Sequence, residues 1–162
     1  VHAQPEGNVN LILEKTDQVD WFTDMREVFD ATKIAPEDYD WYVSDIETNW
    51  TPPGFSPVDQ WISGDELASL LRVHEVQFIW GVFSAVPKRF RATPCPIPYA
   101  DGNPNYWTGP EPVPQLEGAL FEIACWDSSA TILINLPTQA ARAFMTRYTD
   151  TKPLASVRTS PQ

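Results

Sequence analysis

The sequence predicts an α+β domain: a mostly antiparallel sheet of about five strands, two to three helices packed against it, and a long proline-rich loop. Three observations lead there. Leu120 to Trp126 and Ala130 to Leu136 are apolar runs of strand length, joined by Asp127-Ser128-Ser129 and followed by a helical pattern. Val76 to Val86 is apolar on both faces of a strand, the mark of a central position. Strand-like and helix-like segments alternate ahead of it, with no internal repeat.

Taken in order, Asn8 to Lys15 reads as the first strand, with Val9, Leu11 and Leu13 alternating against Asn10 and Glu14 while Ile12 breaks the pattern. Asp17 or Asp20 is placed to cap a helix in which Trp21, Met25, Val28 and Phe29 share one face. Pro36-Glu37-Asp38 is turn chemistry. Tyr39 to Thr48 is aromatic and β-branched, hence a strand; if it is regular, Trp41, Val43, Asp45 and Glu47 lie on one face. After the loop Thr51 to Pro57, Ser63 with Glu66 has the form of a capping box. Leu67, Leu70 and Leu71 continue it as a short helix ending near His74.

Residues 87–115 form a proline-rich excursion. Eight prolines in the twenty-eight residues from Pro87 to Pro114 exclude a helix or a central strand, because each lacks a backbone donor. Tyr99, Tyr106 and Trp107 argue that the excursion is ordered across the surface. Beyond the Gly118 to Leu136 hairpin, Pro137 fits the first turn of a helix carrying Ala141, Phe144, Met145 and Tyr148 on one face. Residues 1–7 and 152–162 read as frayed ends.

A chain of 162 residues fits one domain, 1–162, and 43% hydrophobic residues with seven Trp and eight Phe exclude wholesale disorder. No stretch has the roughly 18 apolar residues of a membrane span. Cys95 and Cys125 do not make a disulfide framework and read as free thiols. The expected compartment is the cytoplasm, or the periplasm if a leader preceded Val1.

Charge divides the chain. Residues 1–66 carry fifteen Asp and Glu against three Lys and Arg, net −12, while residues 67–162 are net +1. A solvated acidic surface is the plain reading, and an acidic face for a basic partner is the sharper one. Nucleic acid is disfavoured, since phosphates need a basic stripe and none is present.

The search for chemistry is mostly negative. There is no phosphate loop, dinucleotide fingerprint, nucleophile elbow or His-Glu-x-x-His motif, and no cofactor is implied. Cys95, Cys125 and His74 lack any metal-ligand spacing, and His74 reads as a histidine at a helix end. Asn49-Trp50-Thr51 has the form of a glycosylation sequon. Asp45 and Glu47, as neighbouring carboxylates on one strand face, are the best acid/base pair, with Glu122 as a third carboxylate. The stronger pattern is one of binding: Trp41, Tyr42, Trp50, Phe55 and Trp61 interleave with Asp38, Asp40, Asp45, Glu47, Asp59 and Asp65. Aromatics anchor interfaces and charges steer encounters. Asp45 and Glu47 are the expected charged contacts, Asp59 and Asp65 extend the acidic face, and Trp41 or Trp50 is the expected anchor. Tyr106 and Trp107 are the alternative binding face.

Four segments carry a resemblance: Asp40-Trp41-Tyr42-Val43-Ser44-Asp45-Ile46-Glu47, Trp61-Ile62-Ser63-Gly64-Asp65-Glu66-Leu67, Phe78-Ile79-Trp80-Gly81-Val82-Phe83-Ser84 and Phe121-Glu122-Ile123-Ala124-Cys125-Trp126-Asp127-Ser128-Ser129. Together, over residues 39–148, they resemble the small α+β immunity proteins of bacterial polymorphic toxin–immunity systems. The resemblance implies a non-enzyme that neutralises a cognate toxin by covering its active site. Two alternatives stand beside it. One is an enzyme acting on a small polar substrate through Asp45, Glu47 or Glu122. The other is an adaptor that presents the proline-rich loop to another domain.

Overall fold

Seven strands pair into one antiparallel sheet in the order β3-β2-β4-β5-β6-β1-β7 in the computed structural model, which describes residues 8–159. The strands are β1 (Val9–Glu14), β2 (Asp40–Thr48), β3 (Gln60–Ser63), β4 (Phe78–Val86), β5 (Phe121–Trp126), β6 (Ala130–Leu136) and β7 (Lys152–Pro153). The helices are α1 (Met25–Thr32), α2 (Gly64–Val73) and α3 (Thr138–Arg147). The class is α+β. The sheet exceeds the expected five strands by β3 and β7, edge strands of four and two residues too short to show a periodicity.

Alternation sorts the side chains of the sheet onto two faces. Leu11 and Leu13 of β1, Trp41 and Val43 of β2, Phe83 and Ala85 of β4, and Phe121, Ile123 and Cys125 of β5 join Met25, Phe29, Leu67, Leu71 and Phe144 of the helices in one core. The opposite face, with Ile12, Val82, Ala124, Ile132 and Ile134, is covered by Ala100 and Tyr106 of the proline-rich segment and by Leu154. β4 is therefore buried on both sides, as its composition predicts, and lies between β2 and β5. Residues 87–115 stay outside the strands, with one 3-10 turn at Pro104–Tyr106, and form the third layer of the molecule.

The helix caps follow local chemistry. Ser63 Oγ accepts the Glu66 N–H at 3.1 Å, and Asp24 accepts the Arg26 N–H at 3.1 Å. The α1 cap is thus Asp24, not Asp17 or Asp20. The reason is tertiary: the Thr23 carbonyl accepts the Phe78 N–H and Asp24 bridges Gln77, so residues 17–23 are held in bends and a turn and the helix starts only after Asp24. Trp21 consequently lies ahead of the helix rather than on its apolar stripe.

β2 is not regular. Its pairing with β4 slips between Ser44 and Glu47, and Asp45 has φ +55°. The bulge turns Asp45 toward the proline-rich layer and separates it from the face of Trp41 and Val43, which corrects the expected common face. The C-terminal stretch is a second correction. Lys152 pairs with Ile12, Leu154 is fully buried, and the Arg158 guanidinium donates to the carbonyls of Asn105, Tyr106, Thr108, Gly109 and Pro110. Residues 152–159 are docked, not frayed; residues 1–7 and 160–162 lie outside the described residues.

Candidate binding surface

The structure disperses the residues that the sequence nominates. Trp41 is fully buried, with Phe29, Tyr39 and Phe121 meeting its ring edge-on and its indole N–H donating to the Pro36 carbonyl at 3.0 Å. It offers nothing to a partner, and this corrects its expected role. An aromatic-rich strand carries its largest side chain inward when a helix covers that face.

Asp45 is already engaged. Its carboxylate accepts the N–H groups of Ala100 and Asp101 at 2.9 and 2.8 Å, and its own N–H donates to Asp59 at 2.9 Å. Glu122 is enclosed: Oε1 accepts the Gln115 N–H at 2.7 Å, and Oε2 accepts the Leu116 N–H at 3.0 Å and the Ser84 hydroxyl at 2.7 Å. Burial pushes its carboxyl above the ordinary range, against the pull of these three donors. Tyr106, whose phenol burial also raises, and the half-buried Trp107, both of the proline-rich layer, pack against Trp126 of the sheet. The carboxylates named for acid/base work are therefore differently employed: Asp45 and Glu122 hold the proline-rich segment to the sheet, and only Glu47 is exposed. The proline-rich segment itself is tied down by Asp45, Glu122 and Arg158, with the Ser44 hydroxyl on the Pro98 carbonyl at 2.7 Å.

Asp65 sits at the start of α2, 4.0 Å from Lys88. Trp50 lies at the opposite end of the sheet with Glu47. It is 43% exposed, its indole N–H donates to the Glu75 carbonyl at 2.8 Å, and its ring meets His74 edge-on.

That end of the sheet gathers what the sequence left scattered. β2 ends there, β4 begins, α1 begins and α2 ends. Asn49 accepts the Gln77 N–H at 3.0 Å on its side-chain oxygen, Gln77 donates its amide to the Phe22 carbonyl at 2.9 Å, and Arg26 reaches the His74 carbonyl at 3.3 Å. Two adjoining clefts open there, each of about 430 Å³. One runs from the start of α1 to the end of α3 past Asp20, Asp24, Glu27, Arg147 and Tyr148; the other is lined by Trp21, Asn49, Glu75 and Gln77. Trp21 and Glu75 belong to both, and Trp21, like Trp50, is 43% exposed.

The charges at this end are unevenly matched. Arg147 is taken by Glu27 and Asp30, each at 2.9 Å. Asp24 caps α1, and burial raises its carboxyl against the charge and N–H of Arg26. Among the described residues no cation lies within ion-pair distance of Asp20, Glu47 or Glu75. Nor does any group of three or more His, Cys, Asp or Glu among those residues form a candidate metal site. No helix among them is long and apolar enough to cross a membrane.

Sequence reasoning names Trp50 and Glu47 here and misses Trp21, Glu75 and Gln77. The available signal is Asp24: as the cap, it places Trp21 outside the helix. No family model matches the chain, and neither a curated protein nor a solved structure does.

Proposed function

We propose that the protein binds a basic partner protein through the end of the sheet that carries Trp21 and Trp50, and neutralises it in the manner that the immunity-protein resemblance implies. One observation carries the reading: two half-exposed tryptophans lie beside Asp20, Glu47 and Glu75, carboxylates that pair with no cation of the described residues. Large amphipathic rings supply contact area at low entropic cost, and free carboxylates steer a basic surface toward them. The partner is a protein rather than a nucleic acid, because carboxylates repel phosphate. The resemblance places the pair in a bacterial cytoplasm or periplasm.

The test is capture of the partner on the full-length protein, followed by association kinetics at low and high salt. Asp20→Asn with Glu75→Gln should slow association roughly tenfold at low salt and much less at high salt, since exposed charges act through a screened field. Trp50→Ala should instead speed dissociation. Co-expression should relieve whatever toxicity the captured partner has alone. Salt-independent binding that survives all three changes would remove this surface from the interface.

A further inference from the structure

The cleft lined by Trp21, Asn49, Glu75 and Gln77 has a chemistry more specific than its net charge. One wall is an indole, 43% exposed, on which among the described residues no guanidinium stacks. Another is a carboxylate that pairs with no cation among those residues. Gln77 donates its side-chain NH2 to Phe22, which leaves its amide oxygen as an acceptor without a hydrogen-bond donor among the described residues. An aromatic face beside one charged and one neutral acceptor suits a planar cation with forked donors better than a compact ammonium.

The same molecule shows that combination at work elsewhere. At the other end of β2, the Arg91 guanidinium lies 4.8 Å over the ring of Trp61 and donates to Asp40 at 3.0 Å. There a loop arginine lies over a strand tryptophan while it donates to a carboxylate. Trp21 and Glu75 bring the same two kinds of group to one cleft, and among the described residues no arginine lies over Trp21 or pairs with Glu75.

We propose that this cleft receives an arginine side chain of the partner, the guanidinium stacking on Trp21 with its N–H groups shared between Glu75 and Gln77. The proposal rests on the reading of this surface as the partner-binding end and names the group that enters it. Asp20, across the neighbouring cleft that Trp21 and Glu75 also line, adds long-range attraction.

The proposal can be tested without the partner. N-acetyl-arginine methylamide is titrated into the ¹⁵N-labelled full-length protein, and the indole N–H resonances are followed, with that of Trp21 assigned through Trp21→Phe. Saturable movement of the Trp21 resonance is expected in the millimolar range. The neutral, isosteric citrulline compound should bind roughly tenfold more weakly, Glu75→Gln should weaken the arginine compound several-fold, and the lysine compound should fall between. Asp65→Asn, an exposed carboxylate at the other end of the molecule, should change nothing. Equal binding of arginine and citrulline, indifference to Glu75→Gln, or perturbation centred on another tryptophan would overturn the proposal. A captured partner that needs Trp50 and Asp20 while no arginine compound reaches Trp21 sinks this inference and leaves the proposed function standing. An arginine compound that binds at Trp21 while the partner binds Trp21→Ala unchanged overturns the inference as well, because the partner's own arginine then does not enter the cleft.

Discussion

The proline-rich face and the Trp21–Trp50 end use the same residue types in opposite ways. On the proline-rich face, Asp45 and Glu122 are turned onto backbone N–H groups, and Tyr106 of the layer that those bonds hold is packed against Trp126 of the sheet. At the other end, Asp20 and Glu75 stand clear of cations among the described residues, and the indoles of Trp21 and Trp50 are half in water. A count of acids and aromatics treats the two regions alike. What separates them is whether a backbone donor without another partner lies within reach: a loop with few regular hydrogen bonds supplies many, and carboxylates near it are consumed as structure.

The contrast predicts its largest effect among the tryptophans. Trp41→Ala removes a fully buried ring with three edge-on aromatic neighbours and should cost about 3–5 kcal/mol of folding stability. Trp21→Ala should cost less than about 1 kcal/mol, because much of its surface already faces water. Urea unfolding monitored by far-ultraviolet circular dichroism measures both. A Trp21→Ala cost as large as that of Trp41→Ala would show that the exposed ring is part of the core, and the division between the two regions would collapse.

The middle effect belongs to Asp45. Asp45→Ala leaves the Ala100 and Asp101 N–H groups without their acceptor and should cost about 2 kcal/mol, the scale of hydrogen bonds to a charged group. The sharper readout is local: amide exchange at Ala100 and Asp101 should accelerate while exchange in β5 stays slow. Unchanged exchange at those two amides would mean that Asp45 does not tie the segment down, and Asp45 would return to the list of carboxylates open to a partner.

These residues also show what a sequence discloses. The hairpin of β5 and β6, the central position of β4 and the Ser63 cap of α2 are legible because each signal is local: alternation, two-sided apolarity, a side chain three residues from its donor. The proline-rich layer is legible as an ordered excursion because its aromatics need a surface to cover. The Asp45 bulge, the docking of β7 and the hold of Arg158 on five carbonyls are not, because each depends on backbone groups brought in from 48 or more residues away. The candidate surface fails for the same reason. Trp21 and Glu75 lie 54 positions apart and meet only because Asp24 bridges Gln77. Trp50 emerged because it stands in a loop among polar residues, whereas Trp41, two strand positions from Val43, follows the inward face.

The smallest effect is carried by Glu122 and tests whether the proline-rich face holds its carboxylates under strain. Burial raises the Glu122 carboxyl above its ordinary value of 4.5, so the folded protein keeps this proton at pH values where the unfolded chain has lost it. Below the ordinary value both states are protonated and the contribution is fully present. As the pH rises from there through the raised folded value, the folded state binds more protons than the unfolded one, and stability falls. The neighbouring Tyr106 phenol and Cys125 thiol, both pushed up by burial, stay neutral across that window. Glu122→Gln removes the titration, but its NH2 must face the Gln115 or the Leu116 N–H whichever way the amide is turned. The variant should therefore be less stable by on the order of 1 kcal/mol on the acid side, and the deficit should shrink as the pH climbs and the wild-type carboxyl is forced to ionise. Thermal unfolding of both proteins from pH 4 to pH 8 would show the two curves converging. Parallel curves would mean that Glu122 ionises in the folded protein as it does in the unfolded chain, with its three donors fully offsetting burial; the proline-rich face would then hold its carboxylates at no cost, and the two regions would differ in partners but not in strain.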